Sequence, residues 1–318
     1  MTAATAKPPK PQPGALVRYV PILGWLPNYN RAWLVADIVA GLTLWGMVVP
    51  EGIAYAGIAG LPPQAGLYTL LASLLIYALL GSSRHLVVQA TSATAALLAS
   101  AIAAALIATS AEAAADPETY QAYASAFVLV VGVVFVAAGL ARIGFVTQFL
   151  SKPVMDGFVM GLAAFVAVGQ LNKLFGVPKP EGNTVDKLIG IIRELPNANW
   201  AAFAVGAAAL VLLFMLPLWN KKLPAGLVVL FGAIGLSTLL GLSERFGVAV
   251  VGALPQGLPT LTVPRVPFAT WLAMLLPAIG VVLVAYSEAL GVAREFAEKH
   301  GYEVDPNQEL NAQGVANL

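Results

Sequence analysis

Two carboxylates lie within apolar stretches of the chain that are long enough to cross a membrane. Glu51 belongs to the sequence PEGIAYA, and Glu288 belongs to VAYSEALGV. An ionisable side chain within a membrane segment is energetically costly, so each carboxylate indicates a functional site that could bind a proton or a cation. Tyr55 lies four residues after Glu51 and therefore shares its helix face. We expect Glu51 and Tyr55 to face a substrate cavity.

Each of these three residues also has a simpler interpretation. Glu51 could be hydrated at the end of its segment, and Tyr55 could be an aromatic side chain at the membrane interface. Glu288 could extend its carboxylate to the membrane surface. The surroundings of Glu51 favour the functional interpretation, because the sequence PEGIAYAGIAG is rich in small residues and such segments pack closely against other helices.

A second group of polar residues, Gln89, Thr91 and Ser92, lies at the start of another apolar run. The sequence HLVVQAT at 85–91 favours extended structure, so we expect a short extended segment followed by a helix that begins within the membrane. The N-terminus of such a half-helix presents unpaired N–H groups and the positive end of the helix dipole, which favour an anion. Transporters use discontinuous helices in this way. Thr91, Ser92 and Thr94 also suit helix capping, and Gln89 can donate further hydrogen bonds.

The rest of the sequence excludes several classes of function. The chain has no cysteine, and its two histidines, His85 and His300, are far apart in the sequence. Disulfides and cysteine metal sites are thereby excluded, and we expect no metal centre and no cofactor. Walker and GxSxG motifs are absent from the sequence, so nothing indicates an enzyme. The net charge of +1 gives no reason to expect nucleic-acid binding.

The composition is that of an all-α integral membrane protein. Of the 318 residues, 59% are hydrophobic and only 10% are charged, whereas soluble domains contain roughly 25% charged residues. Pro50 is predicted to interrupt the first span, and Pro62 and Pro63 to separate it from the second. A span needs about 20 apolar residues, and the sequence predicts eight: Trp33–Ala56, Gln64–Leu80, Ser92–Ala108, Ala124–Ala141, Pro153–Leu171, Trp200–Trp219, Pro224–Leu242 and Phe268–Val292.

The Lys and Arg residues outside the spans predict the orientation. Most of them fall on one side of the membrane if the N-terminus is cytoplasmic, as the positive-inside rule requires. Residues 1–32 are therefore predicted to form a cytoplasmic arm, and residues 33–292 the transmembrane region. Residues 293–318 are polar, and we expect them to form a cytoplasmic connector toward a further segment.

Several motifs resemble the SulP family, the bacterial relatives of the SLC26 anion transporters. The first two spans contain DIVAGLT, PEGIAYA and LPPQAGLY, in the order of the family's pattern. GSSRHLVVQAT resembles the family's turn into its third segment, and FLSKPVMDGFVMG resembles its fifth. DPNQELNAQGVAN resembles the connector after its eighth segment, so the likeness covers nearly the whole chain.

The resemblance implies a fold of two inverted repeats with seven segments each. Segments 1–4 and 8 would form a core domain and segments 5–7 a gate domain, whereas segments 9–14 and the STAS domain of most members would lie beyond this chain. Glu51 and Tyr55 match substrate-site positions of the family, and Thr91 and Ser92 match the start of half-helix 3. Glu288 matches an acidic position that is tied to the coupling ion in some members.

The resemblance also implies secondary transport of a small anion across a bacterial inner membrane by a protein that is a homodimer at full length. The anion would be sulfate, bicarbonate or a dicarboxylate, moved by proton or sodium symport or by exchange. Many members have a neutral residue at the position of Glu51 and Gly-Pro in place of Gln89-Ala90, and these departures favour proton coupling. A xanthine/uracil-type permease and a non-transporting scaffold or sensor remain as alternatives. The Ser-Arg-His turn argues against the permease, and the half-helix argues against the scaffold.

Overall fold

The computed structural model contains helices, and no strand, in the residues that it describes. These residues are 15–108, 116–145, 152–178, 180, 182–220, 225–252, 257 and 263–318. The helices are α1 (Ala15–Tyr19), α2 (Ile22–Trp25), α3 (Leu34–Ile58), α4 (Pro63–Leu80), α5 (Ser92–Ala108), α6 (Pro117–Leu140), α7 (Lys152–Phe175), α8 (Thr184–Glu194), α9 (Trp200–Trp219), α10 (Ala225–Leu240), α11 (Leu242–Phe246), α12 (Phe268–His300) and α13 (Pro306–Asn317).

Each predicted span corresponds to one helix: α3 to α7, α9, α10 and α12. The shorter apolar helical stretches Ser92–Ile107, Ala163–Phe175 and Ala225–Leu240 correspond to spans 3, 5 and 7. Residues 81–91, where the sequence predicts an extended segment before half-helix 3, are neither helix nor strand, and α5 begins at Ser92 as predicted. Within the described residues, five helical stretches are long and apolar enough to cross a membrane: Arg31–Ile58, Pro63–Leu80, Pro117–Leu140, Trp200–Trp219 and Phe268–His300.

The prediction that Pro50 interrupts the first span is wrong, because α3 continues through this residue to Ile58. A proline removes one backbone hydrogen bond, and in membrane helices neighbouring groups compensate for the loss. The chain reverses after α3 instead, where Gly60 adopts a φ of 75°, a value that favours glycine. Pro62 and Pro63 then start α4.

Glycine residues bring α3 and α4 into backbone contact. A Cβ atom at Gly66 of α4 would lie only 2.0 Å from the carbonyl oxygen of Gly52 in α3. A side chain at this position would therefore separate the two helices. Close contacts of this kind are how membrane helices associate, since lipid offers no hydrophobic driving force between them.

The main hydrophobic core lies where α5, α6 and α12 meet. Among the described residues, the fully buried side chains of this core include Ile102 of α5, Phe127 and Phe135 of α6, and Met274 and Leu290 of α12. The pair formed by α3 and α4 joins this bundle through contacts between α3 and α5. The core thus fixes α5, whose N-terminus was predicted to bind an anion.

The polar C-terminal residues form a buried helix. Residues 293–318, which the sequence predicts to be a connector, comprise the end of α12, a short link and α13, which packs against α6 and α4. Glu309 of α13 is 0% exposed. Its carboxylate accepts hydrogen bonds from the Tyr77 hydroxyl at 2.6 Å and from the Ser82 N–H and hydroxyl at 2.8 and 2.7 Å. Polar contacts therefore attach α13 to the end of α4.

The helices α7, α8, α9 and α10 form a second group. α9 packs against α7 and α10, and α8 packs against α7. The second group meets the first where α10 lies against α3 and where α7 lies against α5. No residue of α9 is buried, and apolar side chains such as Phe214 and Trp219 are exposed along it. A helix that is apolar and exposed in this way suits contact with lipid.

Candidate functional site

A cavity of about 580 Å³ lies between α3, α4, α5, α6, α12 and α13. The size suits a small ligand, and the wall is mostly apolar with a few polar groups. Polar side chains that line it include Tyr55 of α3, Gln89 and Thr91 before α5, Thr94 of α5 and Glu288 of α12. The structure thereby brings together predicted site residues from three separate parts of the sequence.

The start of α5 is formed by two threonines that cap each other. The Thr91 hydroxyl accepts a hydrogen bond from the Thr94 N–H at 3.2 Å, and the Thr94 hydroxyl oxygen accepts one from the Thr91 N–H at 2.9 Å. This arrangement leaves the N–H groups of Ser92 and Ala93 without an acceptor among the described residues. Thr91 and Thr94 line the cavity, so the start of α5 borders it through these two capping threonines.

Glu51 contacts the cavity wall indirectly, through Gln89. The Gln89 amide nitrogen donates a hydrogen bond of 2.8 Å to the Glu51 carboxylate. The other polar atom of this amide, Gln89 Oε1, is buried and has no hydrogen-bond partner among the described residues. Gln89 lines the cavity, whereas Glu51 is half-buried behind it. The Gln89 amide therefore connects the Glu51 carboxylate to the cavity by a hydrogen bond, and Tyr55, which also lines the cavity, lies within electrostatic reach of the same carboxylate.

Glu288 lines the cavity from α12. Its half-buried carboxyl interacts with the side chain of Thr91, the residue that caps α5. The sequence places Glu288 about one turn from the end of its span, but α12 continues for more than three turns to His300. The longer helix leaves Glu288 in its middle part, where it lines the cavity.

Two of the predicted site residues do not line this cavity. Glu51 approaches it through Gln89, as described above, and Ser92 is half-buried beside it. Ser92 occupies the first position of α5, so its N–H group and not its side chain belongs to the open end of the helix. Tyr55, Gln89, Thr91 and Glu288 do line the cavity.

Sequence reasoning missed the contribution of α13 to this site. Gln313 and Asn317 lie one turn apart on α13, and both line the cavity. Gln313 is only 3% exposed, and its Nε2 atom has no hydrogen-bond partner among the described residues. The four-residue spacing of these two amides was a usable signal, because such residues share one helix face.

The two histidines, far apart in the sequence, are neighbours in space. The rings of His85 and His300 stack with their centroids 4.3 Å apart, and His85 Nδ1 lies 3.0 Å from the Tyr302 hydroxyl. This hydroxyl also contacts the Ser83 hydroxyl at 3.2 Å. The cluster connects the end of α12 to the residues that lead into Gln89. In the described part of the chain, no group of three or more acidic or histidine side chains is placed to hold a metal ion.

Comparison with known sequences reveals one family. Residues 34–318 match the sulfate permease family. The chain is 36% identical over 301 residues to a probable sulfate transporter of Mycobacterium tuberculosis, a match that covers 93% of this chain and 52% of the relative. The chain spans about half the length of the curated relatives it matches.

Solved structures share the fold. Murine solute carrier 26 family member A9, in the inward-facing state, matches with a TM-score of 0.85 and 27% identity over 98% of this chain and 54% of that one. The transmembrane domain of a cyanobacterial bicarbonate transporter, BicA, matches with a TM-score of 0.78 and 23% identity over 91% of this chain and 72% of that one. The expected membrane fold, with helices from an inverted-repeat architecture, is thereby confirmed.

Proposed function

The chain belongs to the sulfate permease family, and from that premise we propose that it forms the substrate-binding part of a secondary transporter for small anions. The observation that supports this most directly is the start of α5. The N–H groups of Ser92 and Ala93 lack acceptors among the described residues, and the adjoining threonines line a cavity of about 580 Å³. Unpaired N–H groups and the positive end of a helix dipole stabilise an anion.

The substrate-binding residues would be Tyr55, Gln89, Thr91 and Ser92. Thr91 and Tyr55 present hydroxyl groups to the cavity, and Gln89 presents an amide. Ser92 would contribute its backbone N–H, and Glu51 would act on the substrate through Gln89. These groups are donors that suit an oxyanion, and sulfate is the first candidate because the name of the bacterial relative specifies it. Bicarbonate and dicarboxylates present similar oxygen atoms, so they are the other candidates.

Glu51 would couple proton and anion binding through the Gln89 amide. An ionised Glu51 accepts a hydrogen bond from the Gln89 amide nitrogen. One of the two N–H groups of this amide is then occupied and is not available to the substrate. A protonated Glu51 would instead donate to Gln89 Oε1, which has no other described partner. The amide nitrogen would then turn its donors to the cavity. Protonation would raise the affinity for the anion, and by linkage the anion would raise the affinity for the proton.

Glu288 is a second coupling group, for a proton or a sodium ion. Its carboxyl shares the cavity with the start of α5 and interacts with Thr91. A negative charge at this position opposes anion binding unless a cation neutralises it. Binding of the cation at Glu288 and of the anion at α5 would therefore favour each other, which is the requirement for symport.

The arrangement of the helices supports a transport mechanism in which one group of helices moves relative to the other. We assign α3, α4, α5, α6 and α12 to a core domain and α7, α9 and α10 to a gate domain, which follows the packing of the two groups. Transport would result from movement of one group against the other around the fixed site. The protein would act in a bacterial inner membrane with a cytoplasmic N-terminus, as a homodimer in its full natural length.

The proposed function is tested by uptake into liposomes. The purified protein in its full natural length is reconstituted, and uptake of radiolabelled sulfate, bicarbonate, fumarate and uracil is measured with and without a proton or sodium gradient. We expect saturable uptake of at least one of the three anions and none of uracil. Uptake of uracil alone would indicate a nucleobase permease, and an absence of saturable uptake under every gradient would contradict transport.

A further inference from the structure

The short helix α8, between the spans α7 and α9, carries an exposed apolar stripe. The stripe consists of Val185, Leu188, Ile189 and Ile192, which recur at the three- and four-residue spacing of one helix face. These four side chains are between 39% and 64% exposed. A helix of 11 residues therefore presents a continuous apolar surface outside the packed parts of the molecule.

The other sides of α8 have different surroundings. Ile191 is only 3% exposed, and the Lys187 ammonium group lies 5.8 Å from the centre of the Phe165 ring, so this side packs against α7. Asp186 is exposed on a third side, which an α-helix of 3.6 residues per turn separates from both the stripe and Ile191. The helix thus has one side for protein, one polar side and one exposed apolar side.

The ends of the two neighbouring spans show where α8 lies relative to the membrane. The Asn199 N–H, just before α9, donates a hydrogen bond of 2.9 Å to the Phe175 carbonyl at the end of α7. The rings of Phe175 and Phe203 stack with their centroids 5.1 Å apart. The end of α7 and the start of α9 therefore lie side by side at one boundary of the membrane, and α8 belongs to the link that joins them there.

The residues next to the stripe are typical of a membrane interface. Trp200, the first residue of α9, is 61% exposed, and tryptophan is enriched where the bilayer meets water. Arg193 is exposed and follows Ile189 by one turn, so its guanidinium can extend from the edge of the stripe to a lipid phosphate. None of the described residues of α9 is buried, so the chain passes directly from α8 into a helix that suits contact with lipid.

We propose that α8 is an interfacial helix that inserts its apolar stripe into the lipid leaflet at which α7 ends and α9 begins. The partner is the lipid itself. Acyl chains contact the stripe, headgroup phosphates contact Arg193, and Asp186 faces water. Amphipathic helices bind membranes in this way, through buried apolar area and through cations at the headgroups. The insertion holds this end of the second group of helices at a fixed depth, whichever substrate the protein carries.

The first experiment measures the depth of α8 with fluorescent labels. Val185→Cys, Ile189→Cys and Ile192→Cys are made singly in the protein at its full natural length, with any cysteine outside the 318 residues replaced by serine. Each variant is labelled with bimane and reconstituted with lipids that carry a nitroxide near the start or near the end of the acyl chain. We expect the labels to lie about 5–10 Å below the headgroups, so that the nitroxide near the start quenches them more strongly.

Two control positions calibrate this measurement. Asp186→Cys places the label one residue after Val185 but on the polar side, and it retains the Asn183 side chain that caps α8. This label should be quenched by aqueous iodide and only weakly by the nitroxide lipids. Phe214→Cys, at a 73% exposed position of α9, should be quenched by nitroxide lipid and not by iodide.

Each other outcome at the stripe overturns the proposal. If neither quencher reaches the three stripe labels, a protein surface covers the stripe, either from another part of the natural chain or from a second copy. If iodide quenches the stripe labels as strongly as the Asp186 label, the stripe lies in water. Both results are independent of transport, so a failure of the proposed function leaves this test unaffected.

The second experiment places a reversible charge on the stripe. Ile189→Glu is added to the labelled Val185→Cys variant, and quenching by nitroxide lipid is measured as the pH is raised and then lowered again. We expect quenching to fall by roughly half between about pH 5 and about pH 9 and to recover on return, because lipid disfavours the ionised carboxylate. Recovery distinguishes withdrawal of the helix from unfolding. Asp186→Glu is the matched control and should show no pH dependence, whereas unchanged quenching in Ile189→Glu would overturn the insertion.

Discussion

At the residue scale, the contact between Glu51 and Gln89 determines how a proton could influence the cavity. An ionised carboxylate only accepts hydrogen bonds, whereas a protonated one can donate. Gln89 offers both kinds of partner, since its nitrogen donates to Glu51 and its oxygen is buried without a described partner. A change of one proton would therefore turn the amide, which is a small movement with a direct effect on the donors that face the substrate.

Replacing Glu51 by glutamine imitates the protonated state. The new amide can donate to Gln89 Oε1 at every pH, so we expect Glu51→Gln to keep anion uptake but to lose its increase at acidic external pH. Uptake rates measured across a pH series in proteoliposomes would show this. The control is Asp37→Asn, an exposed carboxylate on the same helix that should leave the pH profile unchanged. A wild-type pH profile in Glu51→Gln would show that Glu51 does not carry the coupling proton.

Glu288 gives the corresponding prediction for the coupling cation. The carboxylate of Glu288 lines the same cavity as the capping threonines of α5. We therefore expect Glu288→Gln to remove the stimulation of uptake by sodium or by protons. Binding of the anion without a gradient should fall less, since the N–H groups of α5 remain. Glu295→Gln is the matched control, an exposed carboxylate on the same helix. If sodium or protons still stimulate uptake in Glu288→Gln, Glu288 does not bind the coupling cation and its role is structural.

At the scale of the elements, α13 depends on one buried carboxylate. Glu309 accepts hydrogen bonds from the Tyr77 hydroxyl and from both the N–H and the hydroxyl of Ser82, at the end of α4. The same Ser82 hydroxyl oxygen accepts a hydrogen bond from the Asp305 N–H, at the cap of α13. This network fixes the turn that leads into the extended segment before α5.

Truncation of Glu309 should therefore destabilise the protein. Glu309→Ala leaves the buried Tyr77 hydroxyl and the half-buried donors of Ser82 without this acceptor, a loss of about 1–3 kcal/mol for a buried unsatisfied group such as the Tyr77 hydroxyl and less for Ser82. Thermal unfolding in detergent should show a lower Tm for Glu309→Ala and a smaller decrease for Glu309→Gln, which keeps one acceptor oxygen. Glu303→Ala, at an exposed position of the nearby link, is the control. Equal Tm values for Glu303→Ala and Glu309→Ala would show that the network does not stabilise this fold.

The helices could largely be predicted from the sequence, because membrane helices are long apolar runs and their ends are marked by proline and glycine. The boundary between α3 and α4, marked by Gly60, Pro62 and Pro63, is an example. The burial of α13 could not be predicted in this way, because its polar side chains are buried by partners from α4 and α6 that are distant in the sequence. Pro50 misled the prediction because a proline signals a break only where no neighbour compensates for the lost hydrogen bond.

The candidate site was partly predictable for a related reason. Tyr55, Thr91 and Glu288 are polar residues in apolar surroundings, and this local contrast identifies them. The contact between Glu51 and Gln89, and the presence of Gln313 in the cavity wall, depend on how separate helices pack. The four-residue spacing of Gln313 and Asn317 indicates only that the two amides share a helix face, and no local pattern says which cavity that face lines.

At the scale of the whole molecule, the two groups of helices meet over a small surface. Leu227 of α10 packs into the space left by Gly46 of α3, where a Cβ atom would lie 2.6 Å from the leucine side chain. Within the second group, Leu174 of α7 packs against Gly206 of α9 in the same manner. A Cβ atom at Gly206 would lie 2.4 Å from the Leu174 side chain. The first pair joins the two groups, whereas the second pair lies inside one group. If transport moves one group against the other, the two pairs must respond differently to a cross-link.

The chain is suited to this test because it contains no cysteine. The double variant Gly46→Cys/Leu227→Cys places two thiols at positions whose side chains touch across the two groups, and we expect it to form a disulfide under oxidation and to lose uptake. Gly206→Cys/Leu174→Cys should also cross-link but should keep its uptake, because it joins helices that move together. Reduction should restore uptake in the first variant, and the four single-cysteine variants should be insensitive to oxidant. Cross-linking is followed by mass spectrometry, and full activity of the oxidised first pair would contradict relative movement of the two groups at α3 and α10.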